Sequence, residues 1–273
     1  MGKEISGEAQ AQFEKLRQAI NEGNESAIKA ALADGFKVNS KNQFGETLLM
    51  VAAEAGKTCI VEMLIAAKAK LDTRDQFNFH DGGGKTALHR AVANRHLEIV
   101  QALLSASAKV DVADKSANTA LALAVENNDL AIAELLLKAG ANPNGSGRTT
   151  TPLSAAVVLE FEKMIQLLLK YRADPNHPAD ANGPILGYAA VGGSVESCRM
   201  LIEAGASVHA RNSDGRTTLE AISNPRCLYM LGNSPLSNEE KLKQAVEARS
   251  AIKVMLIEAT KRASSTSSPG AKT

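Results

Sequence analysis

The sequence predicts an all-α fold, a solenoid of stacked helix pairs whose turns project from one edge. The first observation is a leucine that recurs with spacings of 39, 33, 32, 33 and 33 residues, at Leu49, Leu88, Leu121, Leu153, Leu186 and Leu219. The second is an apolar cluster at a nearly fixed distance after most of these leucines, such as Leu135-Leu136-Leu137. The third is a short turn after the cluster, such as Lys138–Asn144. A repeat of about 20–50 residues indicates a solenoid, in which each repeat packs only on its neighbours.

The recurring motif is clearest at residues 84–91, Gly-Lys-Thr-Ala-Leu-His-Arg-Ala, followed by Leu-Glu-Ile-Val-Gln-Ala-Leu-Leu at residues 97–104. Gly84 allows a tight turn, and the hydroxyl of Thr86 is suited to cap the helix that follows. Weaker copies stand at residues 151–156 and 215–219. These motifs resemble the ankyrin repeat family over roughly residues 12–222. The resemblance implies a curved stack of antiparallel helix pairs, with β-turns or hairpins projecting from one edge.

The domain organisation that follows is a single solenoid over residues 11–262. It comprises about six repeats and a divergent C-terminal cap over residues 215–262, with a capping helix pair at its N-terminus. Residues 1–10 and the Ser-rich tail 263–273 are expected to be disordered. Ser237 and Glu240 form a capping-box pattern that begins a helix reaching about Arg262. Two interpretations of that helix are open, a cap on the sixth repeat, which we favour, and a partner-binding helix.

The second repeat carries an insertion of about six residues between Leu71 and Gly84. Phe77 and Phe79 alternate as in a strand, and Asp81-Gly82 is a hairpin signal, so we expect a projecting finger. The alternative is an unstructured loop tip. Exposed aromatic side chains on loops often make contacts, which makes the finger a candidate second contact site. Deletion of residues 75–80 is expected to leave the stack folded, because loop length costs little.

Two repeats lack the turn glycine: Ala117 stands there in repeat four and Thr149 in repeat five. Neither residue type adopts a left-handed backbone readily. We therefore expect distorted turns at both positions.

Composition and motifs argue against catalysis, cofactors and nucleic acid. The net charge is +1, with no basic run to track phosphates, and the three cysteines have no metal-ligand spacing. In the family the histidine at the position of His89 is structural. No apolar run is long enough to cross a membrane, and the odd cysteine count favours a reducing compartment. We expect a cytoplasmic protein, the nucleus remaining open, that is monomeric alone, with no metal, no cofactor and no stable membrane association.

The resemblance implies that the chain binds a protein partner through turn tips and the concave face of the short helices. The positions it assigns to that surface are Phe44, Glu46, Phe77, Phe79, Lys85, Asn94, Lys115, Asn127, Arg148, Val158, Leu159, Asp180 and Val191. Val158, Leu159 and Val191 are apolar where other repeats have Glu or Asn, which indicates a contact patch unless they are buried between repeats. Two functions remain open. One is an adaptor or scaffold, and the other is a regulatory or inhibitory subunit that uses the C-terminal helix and tail.

Overall fold

The computed structural model describes residues 7–76, 83–146, 150–177, 183–223 and 239–266. Regular structure in these ranges is helical, with two isolated β-bridges, Lys41–Thr47 and Arg211–Thr217, so the predicted all-α class is confirmed. The helices are α1 Gly7–Glu22, α2 Glu25–Ala33, α3 Leu48–Glu54, α4 Thr58–Ala66, α5 Ala87–Ala93, α6 Leu97–Ser105, α7 Ala120–Glu126, α8 Leu130–Lys138, α9 Pro152–Val158, α10 Glu162–Lys170, α11 Ile185–Gly192, α12 Val195–Glu203, α13 Thr218–Ser223 and α14 Glu239–Thr266. The chain divides into two compact units, Met1–Arg148 and Thr149–Thr273.

Each inner repeat is a short helix followed by a longer one, and the fourth repeat shows how the sequence produces the pair. Thr119 caps α7 by accepting a hydrogen bond from the backbone N–H of Ala122, and Asp129 caps α8 by accepting from Ile132. A left-handed residue, Asn128, separates the two helices. Helices of 7 and 9 residues are too short to be stable alone, so packing of their apolar faces stabilises them.

In the first compact unit, short helices pack on short helices and long helices on long helices. The short series is α3, α5 and α7, with α1 packed on α3, and the long series is α2, α4, α6 and α8. Fully buried alanines in the short helices, such as Ala52, Ala91 and Ala124, allow close approach of neighbouring helices. Phe13 and Ile20 are buried in α1, the first helix of the N-terminal capping pair. Because α1 begins at Gly7, the expectation of disorder over residues 1–10 is wrong for residues 7–10.

In the second compact unit, α9 packs on α11, α10 on α12, and α11 on α13. Helix α14 covers α12 and α13, the position of a cap. Ile252 and Leu256 form its buried face, whereas Val246 is half exposed. The helix continues to Thr266, so residues 263–266 are helical rather than part of a disordered tail.

The turn at Ala117 is regular, contrary to the expected distortion. Ala117 adopts a left-handed φ of 67°, close to the 78° of Gly45 in repeat two. Its N–H donates to the Asp114 carbonyl at 3.1 Å, and the Asp114 carboxylate accepts the N–H of Asn118 at 2.8 Å. These hydrogen bonds hold the alanine in a conformation that it disfavours by itself. Thr149 lies outside the described residues.

The insertion of repeat two is anchored to the stack at its base. Asp75 is 3% exposed, its N–H donates to the Lys85 carbonyl, and one carboxylate oxygen accepts the N–H groups of Gly84 and Lys85 at 2.6 and 3.0 Å. Deletion of residues 75–80 would remove this buried partner of the following turn, so the expectation that the stack stays folded without them stays a prediction with this contact against it. Phe77 and Phe79, the predicted finger, lie outside the described residues.

Candidate functional site

The last residue of each short helix forms a series of equivalent positions. In repeats two to five these residues are Glu54, Ala93, Glu126 and Val158, and all four are exposed. The helix ends at each of them, because the residue two positions later adopts a left-handed backbone: Gly56, Arg95, Asn128 and Glu160. The local backbone geometry therefore exposes the side chains at these four positions, and the sequence determines only whether each is charged or apolar.

Repeat five places apolar side chains on this exposed surface. Val158 is 59% exposed and Leu159 45% exposed, while the opposite face of α9 buries Leu153, Ala156 and Val157. Burial of Val158 and Leu159 between repeats, the alternative that the sequence left open, is thus excluded. We call these two side chains the α9 patch.

The α9 patch lies beside the end of α11 in the same compact unit. A Cβ added at Gly192 would lie 3.8 Å from Glu160 Oε1, which brings the two helix ends together. Val191, the residue of α11 equivalent to Val158, is partly buried and lines a cavity between α11 and α13. An apolar recess therefore lies on α11, the helix that packs on α9.

Glu46, a predicted surface residue, is instead the centre of a buried charge cluster. It is 2% exposed, and its carboxylate accepts from Arg90 Nη2 at 3.0 Å, Arg17 Nη1 at 3.3 Å and Asn42 Nδ2 at 2.7 Å. Burial by itself would lower the pKa of Arg90, but the hydrogen bond to Asp75 and the charges of Glu54 and Glu46 outweigh it and raise that pKa. Glu46 therefore stabilises the first compact unit and is unavailable to a partner.

Two predicted asparagines make hydrogen bonds within the stack. Asn127 is partly buried, and its amide donates to the carbonyls of Val92 and Ala93 in the preceding repeat at 3.3 and 3.4 Å. Asn94 is exposed, and its amide donates to the Arg90 carbonyl at the end of its own helix. Asn127 thus joins two repeats, and its assignment to the contact surface stays a prediction.

Of the remaining predicted positions, some lie on the turns and the others lie outside the described residues. Phe44 and Lys85 are partly buried on the turns of repeats two and three, and Lys115 is exposed on the turn of repeat four. Those turns are joined, since Gln76 N–H donates to the Phe44 carbonyl and Lys115 N–H to the Gly83 carbonyl. Arg148 and Asp180, like Phe77 and Phe79, lie outside the described residues.

The environments of His89, Cys198 and Cys59 do not activate these side chains. His89 Nδ1 accepts the N–H of Thr86, Nε2 lies 3.2 Å from the Asn118 carbonyl, and burial lowers the pKa of the ring, so it is a neutral structural group. Burial raises the pKa of Cys198 to about 12, and a hydrogen bond with Glu25 raises that of Cys59, so neither thiol is activated as a nucleophile. Among the described residues there is no metal-ligand cluster, and no described helix is both long and apolar enough to span a membrane.

A family model described as ankyrin repeats in three copies matches the chain at residues 16–115, 106–179 and 121–212. The chain belongs to the ankyrin repeat family. Ankyrin repeats are protein–protein interaction modules, and their fold is a non-catalytic one. The resemblance inferred from the motifs at residues 84–104 is thereby confirmed.

Relatives and solved structures agree with this assignment. This ankyrin chain is 34% identical over 196 residues to the putative ankyrin repeat protein FPV014 of Fowlpox virus, covering 71% of this chain and 36% of that protein. It is 34% identical over 106 residues to ankyrin repeat and SOCS box protein 2 of Rattus norvegicus, covering 39% of this chain and 16% of that protein. The chain therefore spans about a third or less of these relatives.

Two crystal structures share the fold. The ankyrin repeat domain of Bcl-3, a member of the IkappaB protein family, superimposes with a TM-score of 0.68 at 26% identity, covering 79% of this chain and 96% of that domain. The human ASB11 ankyrin repeat domain superimposes with a TM-score of 0.62 at 23% identity, covering 81% and 98%. The second likeness concerns the fold alone.

Proposed function

We propose that this ankyrin chain is an adaptor or scaffold that binds a protein partner through the α9 patch of its second compact unit. The supporting observation is the exposure of Val158 and Leu159 at helix-end positions where repeats two and four carry Glu54 and Glu126. Solvent favours the charged residues at such positions. Exposed neighbouring apolar side chains mark contact surfaces.

The α9 patch is suited to be the apolar centre of an interface, because charged residues lie beside it. Glu160 and Glu162 are exposed immediately after it, and a polar rim sets orientation and excludes competing partners more than it adds affinity. Binding should therefore depend weakly on salt, unlike binding to a nucleic acid. A location in the reducing cytoplasm or nucleus accords with the free thiols of Cys59 and Cys198.

A second function, that of a regulatory or inhibitory subunit, is favoured by the outer face of α14. Val254 and Ile257 are 56% and 42% exposed, three residues apart and so on one side of the helix. Ile252 and Leu256 are fully buried on the other side. The cap is thus apolar on both faces, and its outer face is a rival contact surface.

One experiment separates the two functions. Tagged wild-type chain, Leu159→Asp and Val254→Asp are used for affinity capture with quantitative mass spectrometry, and the affinity of the captured partner is then measured for each purified variant. Both substitutions replace an exposed branched apolar side chain by a carboxylate, so each is the matched control of the other. Circular-dichroism melts verify that all three chains fold.

For an adaptor that binds through the α9 patch, Leu159→Asp weakens binding at least about tenfold, equivalent to about 1.4 kcal/mol. Val254→Asp then binds as the wild type does, and both variants melt near the wild-type temperature. The opposite pattern, with loss only in Val254→Asp, assigns the partner to α14 and supports the regulatory subunit. Normal binding by both variants rejects both surfaces.

A further inference from the structure

The third residue of the short helix differs between repeats three and six in a way that leaves a space. In repeat three it is His89, whose ring bonds with Thr86 and reaches the Asn118 carbonyl of the next repeat at 3.2 Å. In repeat six it is Gly187, which has no side chain. The ring that joins two repeats in one place is therefore missing in the other.

A cavity of about 260 Å³ lies where that side chain is missing. It is bounded by Gly187, Tyr188 and Val191 of repeat six and by Arg216, Thr218 and Ala221 of the next repeat. Sites for small-molecule ligands have volumes of about 300–1,000 Å³, so this recess suits a single side chain rather than a cofactor. Its wall is mainly apolar, which disfavours a charged occupant.

Thr218 gives the recess a polar group that has no partner among the described residues. Its Oγ1 is buried and unbonded, and the residue is 2% exposed. The equivalent positions in the preceding repeats are apolar: Leu48, Ala87, Ala120, Pro152 and Ile185. A Cβ added at Gly187 would lie 3.8 Å from this hydroxyl oxygen, which places the oxygen beside the empty position. An occupant with a hydrogen-bonding tip would satisfy the buried hydroxyl.

We propose that this recess is a second anchor site, which receives a tyrosine side chain of the same protein partner; this inference rests on the proposed function. Tyrosine combines an apolar ring with a hydroxyl able to pair with Thr218 Oγ1. Histidine fits less well, because His89 depends on the N–H of Thr86, whereas repeat six has Pro184 at that position, which has no N–H. The recess lies on α11, which packs on the helix that carries the α9 patch, so the two sites are close enough for one peptide segment to reach both.

The test uses side-chain analogues, so it needs no knowledge of the partner. The isotope-labelled full chain is titrated with 4-methylphenol, the analogue of tyrosine, and with toluene, the analogue of phenylalanine, and amide chemical shifts are followed by NMR. The expected result is saturable binding of 4-methylphenol that shifts the amides of Gly187, Tyr188 and Thr218. Toluene should bind at least about fivefold more weakly, the effect of one hydrogen bond.

Two variants make the test specific. Thr218→Val keeps the shape of the side chain and removes the hydroxyl, so the two probes should then bind within about twofold of each other. Gly187→His fills the recess and should abolish binding of both probes; the nearest side-chain atom to an added Cβ, Pro184 Cγ, lies at an ordinary contact distance of 3.7 Å. Failure of 4-methylphenol to bind, or an unchanged preference in Thr218→Val, overturns the proposal.

The failures of the two proposals are distinguishable. If Leu159→Asp removes the partner while Gly187→His binds it normally, the recess is not an anchor and the α9 patch remains one. If both variants lose the partner and 4-methylphenol competes with it, both proposals are supported. Competition without any effect of Leu159→Asp supports the recess and rejects the patch.

Discussion

The Arg90 guanidinium meets the Asp75 carboxylate inside the first compact unit, with Arg90 Nη2 at 2.8 Å from Asp75 Oδ2. Arg90 belongs to α5 of repeat three, whereas Asp75 closes the base of the insertion that precedes it. The same guanidinium also pairs with Glu46 and Glu54 of repeat two. One side chain thus joins the insertion and two repeats.

Arg90→Leu should destabilise the first compact unit strongly, because it leaves the carboxylates of Asp75 and Glu46 buried without their cation. Removal of one partner of a buried ion pair costs about 3–5 kcal/mol. The measurement is urea unfolding followed by circular dichroism. Glu54→Gln is the control, since that partner is 49% exposed and should cost at most about 1 kcal/mol. Equal, small losses in the two variants would show that the cluster is weakly coupled to folding.

Leu136→Ala should cost about 2–5 kcal/mol, because the side chain is fully buried in α8 and its removal leaves a cavity. Leu135→Ala, in the same cluster, removes a partly exposed side chain and should cost clearly less. Unfolding by urea gives both values. A loss below about 0.5 kcal/mol for Leu136→Ala would contradict the inward orientation of this residue.

His89 should make stability depend on pH. Burial lowers its pKa in the folded chain below the unfolded value of about 6.5, so the unfolded chain binds more protons near that pH. The neutral ring therefore stabilises the fold above pH 6.5, and this contribution decreases as the pH falls through and below that value. We expect the urea midpoint to fall between pH 7.5 and pH 5.5 by more in the wild type than in His89→Gln. Parallel pH dependence in the two chains would show that the ring titrates normally.

The periodic part of the fold was predictable because the same short-range signals recur. Thr at the cap, Leu and Ala on one face and a turn after the second apolar cluster predict the helix pairs of repeats two to five, and all but the Thr recur in repeat six. The exposure of Val158 and Leu159 could also be predicted, since it follows from their position at the end of α9. The unsatisfied hydroxyl of Thr218 could have been suspected from alignment of the repeats, where it is the one polar residue among apolar equivalents.

Properties that depend on partners distant in the sequence were not predictable. Glu46 was assigned to the surface because its position in the turn is usually exposed, but Arg17 and Arg90, 29 and 44 residues away, bury it. Asp75 was counted as part of a removable loop for the same reason. Ala117 was expected to distort its turn, because the backbone preference of alanine alone takes no account of the hydrogen bonds made by Asp114 and Asn118.

Two opposite substitutions, one at Ala117 and one at the equivalent glycine Gly215, test the backbone strain of this turn. Ala117→Gly should stabilise the chain by about 0.5–1 kcal/mol, because a left-handed backbone costs a non-glycine residue about 1–2 kcal/mol, partly offset by the greater freedom of glycine in the unfolded chain. Gly215, at the equivalent position after repeat six, has a φ of 73° and no heavy atom within 4 Å of an added Cβ. Gly215→Ala should therefore destabilise the chain by a similar amount through backbone strain alone. Urea titrations of the two variants should move in opposite directions from the wild type. Destabilisation by both would mean that Ala117 makes a packing contact worth more than the strain it carries.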